Sequence, residues 1–212
     1  MSNFPKLYEA ILEGDAKSAH AATTEEIAAG ILPMDLITGA MVPAMDEVGR
    51  RFEAEDYFVP ELLLAGRAMK SAMEILRPLL AAAGQKLSTK VIIGTVKGDM
   101  HDIGKNLVAS MLEGSGFEVL DLGIDVAPEK FVAAVQTEGA QVLCLSALLT
   151  VTMPAMKTTI DALTSAGLRT KVKILVGGAP VTHQYAQQIG ADGYSESASG
   201  AIGLVRQIVA EA

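Results

Sequence analysis

The stretch from residue 94 to residue 106 reads GTVKGDMHDIGKN, and it is the part of the chain that decides the fold prediction. The apolar run 91–93 before it predicts a β-strand, and the apolar residues from Leu107 onward recur at helical spacing. His101, flanked by carboxylates, therefore falls in a glycine-rich turn between a strand and a helix. In open α/β sheets such turns lie at the carboxyl ends of strands, where ligands bind.

Downstream of this stretch, strand-like and helical segments alternate. The β-rich runs lie at 91–96, 118–122, 142–149 and 173–176, with a weaker one at 191–194. The helical patterns lie near 105–114, 128–138, 154–166, 182–189 and 198–211. This alternation predicts βαβ units and a parallel sheet. The apolar character of 142–149 fits a strand that is covered on both faces.

Upstream, residues 1 to about 85 read as helix throughout. Pro33 suits the first turn of a third helix, and Pro43 is expected to kink or interrupt it before a polar stretch at 50–56. Pro60 opens a long helix whose last turns Pro78 is expected to disturb. Because a polar linker follows at 81–89, we expect a four-helix bundle over residues 1–88 and an α/β domain over residues 89–212.

Composition narrows the classes of function. The chain has 212 residues, half of them hydrophobic, and a formal net charge of −8. An acidic surface argues against nucleic acid and against an anionic membrane as partners. Cys144 is the only cysteine and lies in an apolar run, so no internal disulfide is expected. We therefore expect a cytoplasmic location. Neither a secretory signal pattern nor an apolar run of membrane-spanning length is visible.

The histidine of the glycine-rich turn has the surroundings of a metal ligand. Neutral imidazole binds borderline transition metals, and its second nitrogen commonly donates to a carboxylate. Asp99 and Asp102 both lie close in sequence. Residues i and i+2 share a side only in extended chain, so an Asp99–His101 pair requires this segment to be a loop. A purely structural histidine is the alternative; a nucleotide-binding loop is disfavoured because Gly98 and Gly104 are one residue too far apart.

Two further small-residue elements follow at strand ends. The tripeptide Ser146-Ala147-Leu148 is separated from Gly104 by 41 residues (105–145). Gly177-Gly178 is separated from Leu148 by 28 residues (149–176). Each element lies at the carboxyl end of a predicted strand. Three loops on one edge of a parallel sheet can line a single groove, and small residues there let a ligand approach the backbone closely.

Taken together, these three elements resemble the cobalamin-binding fold shared by methionine synthase and the corrinoid proteins of methyltransferase systems. The stretches 42–52 and 57–63 resemble the helical cap domain of the same proteins. The resemblance extends from about Leu7 to Val209 and implies a four-helix cap followed by a Rossmann-like (flavodoxin-like) parallel-sheet domain. It also implies base-off binding, in which the lower nucleotide tail inserts into the sheet-edge groove and the loop histidine replaces it on cobalt.

The resemblance assigns roles to individual residues. His101 is implied as the cobalt ligand, Asp99 as its hydrogen-bond partner, and Thr152 as the hydroxyl that ends the relay, where methionine synthase has a serine. The other residues implied at the cofactor are Gly98, Met100, Asp102, Ile103, Gly104, Ser146, Leu148, Thr150, Gly177 and Gly178, with Phe52 and Val59 over the upper corrin face. The alternatives are strand-end capping for Ser146 and Thr152 and bundle-core packing for Phe52 and Val59.

The resemblance also implies a function, that of a methyl carrier. A substrate-specific methyltransferase passes a methyl group to Co(I) of a cobalamin or another corrinoid, which gives methylcobalamin or its equivalent. A second methyltransferase moves it to a tetrahydrofolate or coenzyme M, and a reductive activase restores Co(I). The chain is not expected to catalyse turnover alone.

Three alternatives to the methyl carrier remain open. One is a cobalamin-dependent sensor, which would need a DNA-binding module for which this chain has neither length nor basic charge. The second is the cobalamin subunit of a radical mutase, which would need room for adenosyl where Phe52 and Val59 are implied. The third is an α/β binding module without cobalt, which would retain no corrinoid.

Overall fold

The computed structural model describes residues 3–83 and 89–210. These residues divide into two compact units. One contains the N-terminal helices together with Ser110–Phe117, and the other contains Thr89–Ala109 and the chain from Glu118 onward. The boundary expected between residues 88 and 89 stays a prediction, and residues 84–88 of the expected linker lie outside the described residues.

The N-terminal unit is helical, as the apolar spacing predicts. Its elements are α1 (Pro5–Leu12), α2 (Ala16–Ala28), α3 (Pro33–Leu36), a π-helical turn (Ile37–Met41), α4 (Val42–Glu53) and α5 (Val59–Ala82). Asp15 caps the N-terminus of α2, where its carboxylate accepts hydrogen bonds from the backbone N–H groups of Lys17 and Ser18. Leucine and methionine side chains fill the interior, among them Leu7, Leu36, Met41, Met45, Leu62, Met69, Leu76 and Leu80. The expected helical bundle is confirmed.

The interruption expected at Pro43 takes the form of a π-helical turn. Pro43 has no N–H with which to continue the α-helical hydrogen bonds, and the turn just before it has a wider spacing, with the Val42 N–H bonded to the Ile37 carbonyl. Because α3, this turn and α4 follow one another without a gap, they act as one bundle helix. The polar stretch expected after that helix is helical up to Glu53, and α5 continues past Pro78 to Ala82.

The second unit is a five-stranded parallel sheet with helices between the strands. The strands are β1 (Lys90–Thr95), β2 (Glu118–Asp121), β3 (Val142–Ser146), β4 (Lys173–Gly177) and β5 (Gly193–Tyr194). The helices are α6 (Ile103–Gly114), α7 (Pro128–Glu138), α8 (Pro154–Ser165), α9 (His183–Ile189) and α10 (Ala198–Ala210). The strand order β2-β1-β3-β4-β5 is that of flavodoxin-like folds, with the switch point between β1 and β3. This confirms the predicted α/β class.

The register of the sheet brings the three strand ends into line. Thr95 of β1 pairs with Ser146 of β3, and Ser146 pairs with Gly177 of β4. The loops that follow these residues therefore leave the sheet side by side. The predicted end of β3 at residue 149 was wrong, because the strand ends at Ser146. The backbone N–H groups of Leu148 and Leu149 turn away from the sheet ladder to another acceptor, described below.

The interior of the sheet unit depends on close packing at Gly94. Phe131 of α7 is fully buried, and its ring atoms lie as close as 2.7 Å to the place where a β-carbon on Gly94 would be. Any larger residue at position 94 would therefore displace the ring. Among the described residues, no helix combines the length and the apolar character that crossing a membrane requires.

Candidate functional site

The segment between β1 and α6 is a loop, as an Asp99–His101 pair requires. It opens with a turn in which the Asp99 N–H donates to the Val96 carbonyl at 3.1 Å. Gly98, the third residue of this turn, has a φ of +85°, which favours glycine. The Thr95 hydroxyl donates to the carbonyl of His101 at 2.9 Å and so ties the end of the loop back to β1.

Asp99 and His101 form a direct side-chain pair. His101 Nδ1 donates to Asp99 Oδ1 at 2.8 Å, and the His101 backbone N–H donates to the same oxygen at 3.0 Å. The Asp99 side chain is fully buried, whereas that of His101 is 50% exposed. Within residues 3–83 and 89–210, His101 Nε2 makes no hydrogen bond. The ring nitrogen without a hydrogen bond is thus the one available to a ligand.

The second oxygen of Asp99 is held by the loop after β3. Asp99 Oδ2 accepts from the Thr152 hydroxyl at 2.6 Å and from the Leu148 N–H at 2.7 Å, with the Leu149 N–H at 3.4 Å. Burial alone would raise the pKa of Asp99. The hydrogen bonds from Thr152, from the backbone of His101 and Leu148 and from the His101 ring outweigh that effect and hold the pKa well below its usual range.

This arrangement fixes the tautomer of the neutral imidazole. An ionised carboxylate can only accept, so the proton at the Asp99–His101 contact belongs to Nδ1. Neutral His101 then carries its free electron pair on the exposed Nε2, which is the form that binds a metal ion. Among the described residues, no group of three or more His, Cys, Asp or Glu side chains is placed to hold a metal. A metal at His101 would therefore bring its remaining ligands with it.

The ends of β3 and β4 approach each other so closely that no side chain fits at position 178. The Ala147 N–H donates to the Gly177 carbonyl at 3.2 Å. Gly178 has a φ of +125°, and a β-carbon there would lie 1.9 Å from the Ala147 carbonyl oxygen. Only glycine is compatible with this contact. Gly177 and Gly178 thus give this edge of the sheet a bare backbone, next to the half-buried Ser146.

Several large apolar side chains in the loops at this edge are exposed to solvent. They are Met100, Ile103, Leu148, Leu149 and Val151, of which Ile103 and Val151 are each 80% exposed. Exposed apolar side chains concentrated in ligand-facing loops are typical of a surface that an apolar partner covers. Gly104 adds to this open edge, because a β-carbon there would meet nothing within 4 Å.

Two further candidates in this unit, Asp102 and Thr150, make no hydrogen bond to the side chain of His101 or Asp99 among the described residues. Asp102 does not pair with His101; it lies before the first turn of α6, where its carbonyl accepts from the Asn106 N–H at 2.7 Å and its carboxylate from the Asn106 side chain at 3.1 Å. Thr150 is exposed in the loop after β3. Their contacts with a cofactor stay predictions.

The two candidates in the helical unit lie on either side of the connection between α4 and α5. Phe52 is half-buried near the end of α4, and Val59, the first residue of α5, is 38% exposed. Phe58 between them is 62% exposed. Apolar side chains are therefore available at this connection, and their position over a corrin stays a prediction.

One residue at this site, Asp125 in the loop after β2, was not predicted from the sequence. Its carboxylate accepts a hydrogen bond from the Gly98 N–H at 2.8 Å, just before Asp99. A signal was present, because Asp125 follows a predicted strand just as the three recognised elements do. Asp125 reaches Gly98 because β2 lies next to β1 in the sheet, and local sequence patterns do not give the strand order.

Comparison with known proteins is consistent with this geometry over the whole chain. A family model described as "B12 binding domain" matches residues 89–203, and a second model with the same description matches residues 4–77. Trimethylamine corrinoid protein 1 of Methanosarcina acetivorans is 42% identical over 208 residues, which cover 96% of this chain and 95% of that protein.

Two solved structures share the fold. A cobalamin-binding protein from Desulfitobacterium hafniense superimposes with a TM-score of 0.81 at 33% identity, covering 97% of this chain and 98% of that one. A chain of the methanol:cobalamin methyltransferase complex of Methanosarcina barkeri superimposes with a TM-score of 0.85 at 33% identity, covering 98% of this chain and 79% of that one.

Proposed function

The chain belongs to the family of B12-binding-domain proteins and takes a cobalamin or another corrinoid as its cofactor, and from this premise we propose that it carries a methyl group between two methyltransferases. The observation that supports this proposal most directly is the state of His101, whose Nδ1 is held by a buried carboxylate while Nε2 is exposed. A single exposed imidazole fits a metal that arrives with four macrocycle nitrogens already bound.

His101 is the residue proposed to bind the cobalt from below. When bound, the corrinoid supplies a cobalt centre that accepts a methyl group and gives it up. Asp99 keeps the proton on His101 Nδ1, and Thr152 donates to the far oxygen of that carboxylate. Because a hydrogen bond to an ionised carboxylate raises the basicity of the imidazole, the Asp99–Thr152 pair is proposed to set how tightly His101 would hold the metal.

The sheet edge is proposed to receive the nucleotide tail of the cofactor in its base-off form. The close approach of Gly178 to Ala147 leaves backbone rather than side chains at the ends of β3 and β4. Ser146 and Thr150 offer hydroxyl groups on the same loops, and the backbone around Leu148 forms the wall towards Asp99. The exposed side chains of Met100 and Ile103 offer apolar surface for the corrin itself.

The helical unit is proposed to shield the upper face of the corrin through Phe52 and Val59. An apolar cover excludes water and oxidants from a reactive metal centre. The exposed Phe58 next to Val59 adds to the apolar surface available for this purpose. The cover must move aside when a methyltransferase reaches the cobalt.

The proposed partners are a substrate-specific methyltransferase, a second methyltransferase with tetrahydrofolate or coenzyme M as acceptor, and a reductive activase, all in the cytoplasm. The first of these is supported by the methanol:cobalamin methyltransferase complex that this chain resembles. Relatives that match nearly the whole chain are named for trimethylamine and dimethylamine, which favours a small methylated amine as the donor.

The proposal is tested by the visible spectrum of the loaded protein. The chain is reconstituted with hydroxocobalamin, desalted, and compared with the His101→Ala variant and with His183→Ala, which removes an exposed histidine of α9. We expect a coloured protein whose spectrum changes with His101→Ala and not with His183→Ala. A wild-type protein that is colourless after desalting would refute corrinoid binding. A spectrum that is the same in His101→Ala as in the wild type would refute binding of His101 to the cobalt.

Transfer is tested with the same material. Loaded protein is reduced, methylated with methyl iodide, and mixed with a purified second methyltransferase and its acceptor, coenzyme M or tetrahydrofolate. Methyl transfer that requires the loaded chain supports a carrier role. Stable loading without transfer to any acceptor would favour a sensor.

A further inference from the structure

The loop after β2 lies against the turn that carries Asp99 and contacts three consecutive residues of it. Asp125 Oδ1 accepts from the Gly98 N–H at 2.8 Å. The Asp125 N–H donates to the Asp99 carbonyl at 3.0 Å. Asp125 Oδ2 pairs with Lys97 Nζ at 3.0 Å. The peptide group before Gly98 and the peptide group after Asp99 are therefore bonded to the same residue.

Asp125 is itself fixed in an uncommon backbone conformation. Its φ is +51°, in the left-handed region that aspartate tolerates better than most residues but still rarely adopts. Hydrogen bonds on both sides of it hold the loop to β1: the Thr95 N–H donates to the Gly123 carbonyl and the Val126 N–H to the Thr95 carbonyl, both at 2.9 Å. The conformation is therefore imposed by the surroundings, and it places both the N–H and the carboxylate of Asp125 towards the turn.

Asp99 is thus held from two sides by two different loops. Thr152 and Leu148, from the loop after β3, hold its carboxylate. Asp125, from the loop after β2, holds its backbone. Since the carboxylate of Asp99 in turn holds the His101 ring, a change at Asp125 is transmitted to the imidazole through two covalently linked residues.

We propose that Asp125 is a positioning residue for the metal ligand: it fixes the turn at Gly98 and Asp99 so that Asp99 holds His101 with Nδ1 protonated and Nε2 free for cobalt. This inference rests on the proposed corrinoid function. Removing a group that hydrogen-bonds a metal ligand, as Asp99 does here, commonly changes metal affinity ten- to a hundredfold, so a change relayed through Asp99 is expected at the lower end of that range. The N–H of Gly98 and the ammonium of Lys97 both lower the pKa of Asp125, so it stays ionised at neutral pH.

Three full-length variants separate the contacts. Asp125→Gly removes the carboxylate but permits the positive φ; Asp125→Asn keeps an oxygen acceptor and tolerates the same φ; Lys97→Ala removes only the exposed ion pair. The first measurement uses the protein without cofactor and records the ¹⁵N resonances of the His101 ring, which report the proton on Nδ1. The second measures the retention and the visible spectrum of hydroxocobalamin.

We expect Asp125→Gly to lose the single Nδ1-protonated form of His101 and to retain hydroxocobalamin about tenfold less tightly. Asp125→Asn and Lys97→Ala should resemble the wild type in both measurements. Rescue by asparagine identifies the Gly98 hydrogen bond as the cause, because asparagine restores the acceptor without the charge.

The inference is overturned if Asp125→Gly keeps the wild-type ¹⁵N pattern and retention, even where its melting temperature falls, since Asp125 would then be structural only. Equal losses in Asp125→Gly and Lys97→Ala would also overturn it, because the surface ion pair would be sufficient to explain them. If the wild-type protein retains no corrinoid, the proposed function fails, while the ¹⁵N measurement still decides whether Asp125 positions His101.

Discussion

Asp99 is the residue on which the site depends, because it is a fully buried carboxylate with hydrogen-bond donors on both oxygens. A buried charge is costly unless its oxygens are bonded. Three of these donors are positioned by the backbone of the two loops around Asp99. They are the N–H groups of Leu148 and His101 and the ring of His101. Thr152 provides the remaining strong donor, and it is the one that a conservative substitution can remove.

Thr152→Val is expected to destabilise the protein without cofactor by about 2 kcal/mol at neutral pH, since hydrogen bonds to charged groups contribute about 1.5–3 kcal/mol. Valine preserves the shape of threonine and removes the hydroxyl that bonds Asp99 Oδ2 at 2.6 Å. Urea unfolding followed by circular dichroism measures the change.

Two other variants are the controls for this measurement. Thr152→Ser keeps the hydroxyl and should recover most of the stability. Thr159→Val removes a buried hydroxyl of α8 that bonds an uncharged group, the Ala155 carbonyl of its own helix, and should cost clearly less. If Thr152→Val and Thr159→Val lose the same stability, the bond to Asp99 has no special weight.

At the scale of elements, an ionic network fixes the connection between α4 and α5. Glu47 accepts from Arg50 at 2.7 Å and from Arg51 at 2.8 Å. Arg51 also donates to the hydroxyl of Tyr57 at 2.9 Å, and that hydroxyl donates to the Leu12 carbonyl at 3.3 Å. The connection that carries Phe58 is thereby tied to both α4 and the end of α1.

Glu47→Gln is expected to lower stability by about 1 kcal/mol at neutral pH, since the arginines are partly exposed and such pairs contribute modestly. The hydrogen bonds from Arg50, then those from Arg51, lower the pKa of Glu47 to about 2. A lowered pKa in the folded state gives stability that is complete above the unfolded value of about 4.3 and is lost as pH falls towards the folded value.

The difference between wild type and Glu47→Gln should therefore be largest at neutral pH and shrink from about pH 4 downward. Urea unfolding at a series of pH values measures it. Glu25→Gln, which removes an exposed pair with Lys6, is the matched control and should change stability little at any pH. A Glu47→Gln difference that stays constant down to pH 2 would contradict the assignment.

At the scale of the whole molecule, helix α6 contributes to both compact units. Its beginning, which follows the His101 loop, belongs to the sheet unit, whereas Ser110–Phe117 groups with the helical unit. Within that helical unit, Gly114 lies so close to Met45 that a β-carbon would be 3.0 Å from the methionine methyl group. The end of α6 is therefore packed by residues that precede the sheet in the chain.

Residues 89–212 expressed alone are expected to melt below the full-length chain, because Ser110–Phe117 would lose the unit with which it packs. A decrease of roughly 5 °C corresponds to about 1 kcal/mol for a domain of this size. Thermal unfolding of both proteins without cofactor measures it. Equal melting temperatures would show that α6 needs no support from residues 1–88.

The sequence by itself determined the order and type of the elements and the location of the site. Apolar periodicity depends only on near neighbours, so the alternation after residue 90 and the helices before it were readable directly. Short spacing made both Asp99 and Asp102 candidate partners of His101, and the family resemblance singled out Asp99, which the structure pairs with the ring. Glycines in line with strand ends indicated the edge of the sheet at which ligand binding is proposed.

Only the tertiary structure decided what surrounds that pair. The strand order places β1 between β2 and β3, so Asp99 meets Thr152, 53 positions away, and Asp125 meets Gly98, 27 positions away. It also limits β3 to Val142–Ser146: the Ala147 N–H still bonds the Gly177 carbonyl, whereas the Leu148 and Leu149 N–H groups bond Asp99 instead of a neighbouring strand. Hydrogen bonds between distant segments depend on topology and register, which local patterns do not encode.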